Sequence, residues 1–140
     1  MIRNVVRQML NGALRRPKVL RVRTHPTRLE AVTLLEGGRV ARWALTDPPQ
    51  ILTEVGTGFA ELKDLAVSPD GTFVVIIAEP QEGEDNRQMQ IRAWNDLSIV
   101  SQDTFHADLI SVSADGHRIT GTSVGLPWVY DRETGEISQP

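Results

Sequence analysis

The 140-residue chain has no cysteine, which excludes a disulfide framework, a thiolate metal site and a cysteine nucleophile. Aromatic residues account for only 5% of it. Histidine occurs at His25, His106 and His117 alone, and no two of these stand at the His-x-x-x-His spacing that would bring a pair of imidazoles to one metal. No apolar run approaches the ~18 residues of a membrane-spanning helix, so no transmembrane segment is expected. The first residues also lack the apolar stretch of roughly 7 to 15 residues that marks a secretory signal, which makes the cytoplasm the expected compartment. No catalytic residue, metal site or cofactor is assigned: Ser68, Ser113 and Ser123 are given no nucleophilic role, and Asp70 and Asp115 read as turn residues.

What is present is an ordinary soluble composition, 40% hydrophobic and 24% charged, arranged asymmetrically. Eight basic residues, Arg3, Arg7, Arg15, Arg16, Lys18, Arg21, Arg23 and Arg28, precede the first acidic residue, Glu30. The remainder carries seven basic residues against eighteen acidic ones. A basic end is thus joined to an acidic body, and attraction between the two would steer assembly and weaken with salt.

Residues 1–18 form a segment of their own. Ile2, Val5, Val6, Met9, Leu10, Ala13 and Leu14 recur at helical spacing with arginines between them, which predicts a short amphipathic helix ended near Asn11-Gly12. The β-rich run Ile-x-x-Val-Val predicts a strand equally well. As a helix the segment could cap an exposed sheet face; as a strand it could complete a partner's sheet. Arg3, Arg7, Arg15, Arg16 and Lys18 are therefore candidate assembly or anion-binding residues. Nucleic acid and anionic membrane are the less favoured partners, because no aromatic stacking residues are interleaved with the charges. A mitochondrial transit peptide is the alternative reading of this end, against which residues 1–30 contain no Ser.

From residue 19 onward three segments share one order of apolar and turn residues. Aligning their first turns brings Pro26, Pro69 and Ala114 into register, 43 and 45 residues apart, the length of one four-stranded propeller blade. The units are expected at 19–57, 58–104 and 105–140. Expected first strands are Val19 to Arg23, Asp64 to Val67 and Leu109 to Val112; second strands, Glu30 to Leu35, Phe73 to Ala78 and Arg118 to Ser123. Third strands are placed at Arg39 to Leu45, Met89 to Trp94 and Trp128 to Arg132, and fourth strands at Gln50 to Val55, Leu97 to Gln102 and Glu136 to Ser138. The turns Ser68-Pro69-Asp70-Gly71 and Ser113-Ala114-Asp115-Gly116 supply the left-handed conformation of a tight hairpin at glycine. The run Phe73-Val74-Val75-Ile76-Ile77-Ala78 fits a strand buried on both faces. The expected fold class is all-β, three four-stranded antiparallel meanders forming an incomplete propeller ring.

The order of strand, Ser-Pro-Asp-Gly turn, strand, short turn and strand ending in Val-x-x-Trp resembles the WD-repeat β-propellers. The likeness covers about residues 11–139. It is carried by Gly12-Ala13, Gly58-Phe59 and Phe105-His106 where the family often has Gly-His. It is carried too by the turns at Pro26, Pro69-Asp70-Gly71 and Asp115-Gly116, and by the endings Val40-Ala41-Arg42-Trp43, Ile91-Arg92-Ala93-Trp94 and Trp128-Val129-Tyr130-Asp131. Only His106 keeps the His and only Asp131 the final Asp. The resemblance implies a structural His106, hydrogen-bonded within its blade; the scarcity of His and the absence of a catalytic motif favour a non-catalytic chain.

One segment breaks the repeat. Glu79-Pro80-Gln81-Glu82-Gly83-Glu84-Asp85-Asn86-Arg87-Gln88 stands where the other units have short turns. Its Glu79, Glu82, Glu84, Asp85 and Arg87 form a candidate partner-binding loop. Propellers close with about 4 to 8 blades, so three leave two outer faces without neighbours. If roughly 400 Å² of apolar area were exposed on each, the cost at ~25 cal/mol per Å² would be on the order of 10 kcal/mol per face. The expected function is accordingly a non-catalytic scaffold for protein–protein interaction. Its ring would be completed by a second copy in a six-bladed homodimer, by a partner protein, or by blades of a longer chain. The alternative is a propeller enzyme or small-molecule sensor whose central-channel site forms on assembly.

Overall fold

A computed structural model describes residues 18–79 and 88–140. It contains twelve strands: β1 (Val19–Thr24), β2 (Glu30–Leu35), β3 (Arg39–Ala44), β4 (Gln50–Gly56), β5 (Leu62–Val67), β6 (Phe73–Ala78), β7 (Met89–Ala93), β8 (Ile99–Asp103), β9 (Leu109–Val112), β10 (Arg118–Ser123), β11 (Leu126–Asp131) and β12 (Ile137–Ser138). They form three separate four-stranded antiparallel meanders, β1 to β4, β5 to β8 and β9 to β12. Among the described residues the fold is all-β, and residues 2–10, expected as a helix or a strand, fall outside them. First strands neighbour one another, β1 against β5 and β5 against β9, so they line the inner edge of the arc.

The meanders stack as blades because the second one has no polar face. All six residues of β6 are buried. Val74, Ile76 and Ala78 pack with Val32, Leu34 and Val40 of the first sheet. Phe73, Val75 and Ile77 pack with Ile110, Ile119 and Tyr130 of the third. Period-2 alternation sends neighbouring side chains to opposite faces, and here both faces are core.

The turns between first and second strands are closed by side-chain acceptors. In the second sheet Ser68 Oγ accepts from the Thr72 and Phe73 amides at 3.0 Å each, and Asp70 Oδ1 accepts from Thr72 N at 3.0 Å. The third sheet repeats this with Ser113 and Asp115. The first turn has neither residue type, and His25 does the work instead. Its Nδ1 accepts from the Thr27 and Arg28 amides at 3.1 and 3.0 Å, which leaves Nε2 to carry the proton and donate to Gly71 O at 3.1 Å. The imidazole also meets Trp94 edge-on, ring centroids 4.6 Å apart.

Three local expectations are corrected. Leu97 belongs to a turn, with φ 57° and its amide bonded to Ala93 O, so the fourth strand starts at Ile99. The third sheet's hairpin turns at Val124-Gly125, both in the left-handed region, so Leu126 and Pro127 are already strand. The third-strand endings also shift in register. Trp43 pairs with Ala31, Arg92 with Val74 and Tyr130 with Ile119, whereas Trp94 lies beyond its strand with its amide bonded to Thr72 O. The counterpart of Trp43 is therefore Arg92 rather than Trp94.

Gly71 has φ 74°, and a Cβ there would lie 2.2 Å from His25 Nε2. Gly135 has φ 73° with nothing closer than 3.8 Å. Gly71→Ala is expected to cost about 2–3 kcal/mol, and Gly135→Ala only the backbone share of about 1 kcal/mol. Urea unfolding midpoints of the two variants check this; equal losses would remove His25 from the contacts that hold the first two sheets together.

Candidate functional site

The chemistry of this chain is concentrated where sheet meets sheet. Asp64, on the inner strand β5, is 1% exposed. Its Oδ2 accepts from Ile110 N of the third sheet at 2.9 Å, and its Oδ1 lies 3.4 Å from Arg23 Nη2 of the first. One carboxylate thus touches all three sheets. Sequence reading missed it, because a lone Asp in an inner strand carries no motif. Arg92 is buried, and among the described residues no carboxylate pairs with it. Its guanidinium donates to Gln90 Oε1 at 2.9 Å and Leu97 O at 2.6 Å, and burial holds its pKa below the usual arginine value.

Strand pairing exposes a rule common to both inter-sheet contacts. Each sheet turns the same positions of its second strand towards the sheet before it: Val74, Ile76 and Ala78 in the second, Ile119, Gly121 and Ser123 in the third. Side chains on the third strand then reach across. Arg92 Nη2 approaches Gly56 O at 3.4 Å, and Tyr130 Oη donates to Asp103 Oδ2 at 2.8 Å, in each case at the end of the preceding sheet's last strand. Two residues further on, Trp94 Nε1 donates to Glu30 Oε1 at 3.0 Å, and the Arg132 guanidinium lies 3.9 Å from the Phe73 ring centroid. Glu30 and Phe73 both open their second strands. Burial would raise the Glu30 carboxyl, but hydrogen bonds from Trp94 and from Arg42 outweigh it and hold it below the ordinary carboxylate value.

In the first sheet the corresponding residues are Ala31, Thr33 and Leu35, followed by Trp43 and Leu45. They face away from the second sheet. Trp43 Nε1 turns back to donate to Thr33 Oγ1 of its own sheet at 2.8 Å. The opposite end of the arc differs in kind. Where the first two sheets present Val32 with Leu34 and Val75 with Ile77 to the next sheet, the third presents Thr120 and Thr122, both exposed, beside Ser111 and Arg118. The expectation of two apolar outer faces therefore holds at one end only.

The other residues singled out by sequence are dispersed. Glu79 lies 3.6 Å from Lys63 Nζ, which also pairs with Asp108, whereas Glu82, Glu84, Asp85 and Arg87 fall outside the described residues, as do Arg3, Arg7, Arg15 and Arg16. Lys18 contributes its carbonyl, which accepts from Glu36 N at 2.8 Å. Pro26, Pro69, Asp70, Gly71, Asp115 and Gly116 all sit in the first turns, and Asp131 caps a later one by accepting from Glu133 N and Thr134 N. His106, expected to be hydrogen-bonded within its blade, has its Nδ1 buried with no hydrogen-bond partner among the described residues. Burial, followed by the Lys63 ammonium, holds this imidazole below its ordinary value.

Residues 121–125 read Gly-Thr-Ser-Val-Gly, a Gly-x-Ser-x-Gly spacing that the sequence reading passed over. Ser123 ends β10 at a tight antiparallel hairpin, not the strand-to-helix elbow that activates such a serine. Among the described residues no group of three or more His, Asp or Glu could hold a metal ion, and no helix is long and apolar enough to cross a membrane.

Tyr130 yields a pH prediction. Burial, reinforced by the hydrogen bond to Asp103, raises its pKa from 10.0 to about 12. A group raised on folding contributes its stability in full below the unfolded pKa and loses it as pH rises through the folded one. Stability should therefore fall between pH 10 and about 12. Tyr130→Phe should flatten that fall and cost about 1 kcal/mol at neutral pH. Denaturant titrations across this range provide the check. An absorbance titration reads the phenol directly, since the chain has one tyrosine.

Comparison of the chain with protein-family models and with curated proteins finds no match in either.

Proposed function

We propose that this chain is a non-catalytic, WD-repeat-like propeller module that works by blade stacking, and that the outer face of its first sheet is the docking surface for the blade of a protein partner. One observation carries the reading. Ala31, Thr33, Leu35, Trp43 and Leu45 occupy the positions that, in the second and third sheets, bury against the preceding sheet and reach across to it. A repeat array uses each face in the same way at every step, so the chemistry that fits this face is that of the faces already seen opposite its counterparts. These are branched aliphatic residues on a second strand, with an acidic or carbonyl acceptor at the rim.

A second copy suits this surface less well than a different protein. Closing a six-bladed ring from two copies would seat Thr120, Thr122 and Arg118 where the internal contacts have Val32, Leu34 and Glu30, or Val75, Ile77 and Phe73. Polar outer faces of this kind terminate repeat arrays.

The test supplies the missing face on the chain itself. The double variant Thr120→Val/Thr122→Leu is expected to associate head to tail as concentration rises, its light-scattering mass increasing from 15.5 kDa, while the parent chain does not. Adding Thr33→Asp, a carboxylate at the centre of the same face, should return it to monomer. A double variant that stays monomeric at every attainable concentration, or association that survives Thr33→Asp, would overturn the reading.

A further inference from the structure

We propose that the open inner edge of the first sheet is a seat for a carboxylate, which a partner blade docking on that sheet supplies from an Asp or Glu of its own inner strand. This rests on the docking surface proposed above and names a chemical feature of the partner that fits it.

The pattern is set inside the molecule. Where the second sheet meets the third, Asp64 of β5 accepts from Ile110 N of β9 at 2.9 Å. Strand pairing identifies the matching positions elsewhere. Asp64 pairs with Ile77, Leu109 with Thr122 and Arg21 with Leu34, which makes these three first-strand positions equivalent. Ile110 pairs with Gly121, Leu65 with Ile76 and Val22 with Thr33, so Val22 is the first sheet's counterpart of Ile110. In an antiparallel pair, residues that exchange bonds alternate with residues whose backbone groups turn away from the partner strand. Counted from the bond of His25 N to Glu30 O, Val22 is of the second kind, as Ile110 is when counted from Ser113 N to Arg118 O. The amide and carbonyl of Val22 therefore face the open edge, on a residue 53% exposed.

Two guanidinium groups are gathered at that edge by its outward carbonyls. Arg23 Nη1 donates to Val22 O at 2.9 Å, and Arg21 Nη1 donates to Leu20 O at 3.0 Å. Arg23 also lies 3.4 Å from Asp64 through Nη2, yet 45% of its side chain stays exposed. An outward amide flanked by two guanidinium forks matches a carboxylate, whose two oxygens accept from both kinds of donor. A carboxylate placed on a partner's inner strand as Asp64 is placed on β5 would meet Val22 N in the way Asp64 meets Ile110 N. The third sheet of this chain has Leu109 at that position, so a second copy cannot fill the seat. This is a reason separate from the threonines of the same sheet.

The Thr120→Val/Thr122→Leu chain brings its own last sheet against the first sheet of the next copy. Adding Leu109→Asp, at a position 59% exposed in the parent, should tighten that association about tenfold. The gain should shrink at high salt and vanish with Arg21→Gln, which leaves the Arg23–Asp64 contact in place. Leu109→Asn, of similar shape without the charge, should gain less. Light-scattering mass against concentration reads each variant, and circular dichroism confirms that each is folded. In an associating chain, no gain from Leu109→Asp, or a gain that survives Arg21→Gln, overturns the proposal. A second measurement uses the parent chain alone. Nitrogen-15 NMR follows the Val22 amide as sodium acetate replaces sodium chloride at constant ionic strength. A shift at Val22 that Arg21→Gln removes is expected; a Val22 signal that responds alike to both salts overturns the seat.

The two readings fail separately. Association of the Thr120→Val/Thr122→Leu chain, with neither an acetate response nor a gain from Leu109→Asp, removes the seat and leaves the docking surface. An acetate response at Val22, with no association of either variant, removes the docking surface and leaves the carboxylate seat.

Discussion

Strand β6 has no side that tolerates water, and the arrangement of the whole chain derives from that constraint. Phe73 to Ala78 sends three side chains to each face, and all six are buried. A sheet built around such a strand is stable only between two others. The first and third meanders supply those layers, each with its own aliphatic second strand. Polar contacts then fix how the layers meet. Asp64 holds the inner edge of all three sheets, the His25–Gly71 and Trp94–Glu30 bonds tie the first rim, and the Tyr130–Asp103 bond ties the second. Loosely packed aliphatic faces can slide; directional bonds at their borders remove that freedom.

The contacts between sheets are directional in a second sense. At both interfaces the later sheet reaches back with long third-strand side chains, and the earlier sheet offers acceptors, an aromatic ring and a flat aliphatic surface. Chemically different residues fill the same role, an arginine or a tyrosine in one position, a tryptophan or an arginine in the next. The element that persists is geometric: a long side chain with a polar tip, anchored over its own sheet and aimed at the neighbour. The first sheet keeps only part of this outfit: Trp43 is long with a polar tip, turned back to Thr33 of its own sheet, and Leu45 occupies the next position without one.

Much of this architecture was legible in the sequence. The spans of β2, β6, β9 and β10 were read to the residue, because each is an unbroken run of strand-forming residues bounded by recognisable turns. The errors fell where two backbone solutions compete. Leu97 and Val124 adopt left-handed conformations that their side chains disfavour, so nothing local announced the turns they make. Matching Trp43 to Trp94 by residue type concealed a register shift that only strand pairing displays. In sequence His25 stands out only as one of three histidines without metal-ligand spacing, yet the lack of Asp and Ser in its turn is what frees the turn amides for an imidazole. Asp64 and the polar third face could not be read from one strand at a time. A carboxylate's partners lie on other sheets, and the alternation of Thr120 and Thr122 becomes meaningful only beside Val32, Leu34, Val75 and Ile77.

The threonine pair on the last sheet also bears on how such a chain can grow. The first and second sheets present interchangeable aliphatic faces to the sheet after them, so an additional repeat inserted between the two would find aliphatic surface on both sides. Behind β12 it would find Thr120, Thr122 and Arg118, and would gain little by stacking there. Duplication can lengthen this array from its beginning or its middle, but two hydroxyl-bearing side chains act as a stop codon written in the folded state.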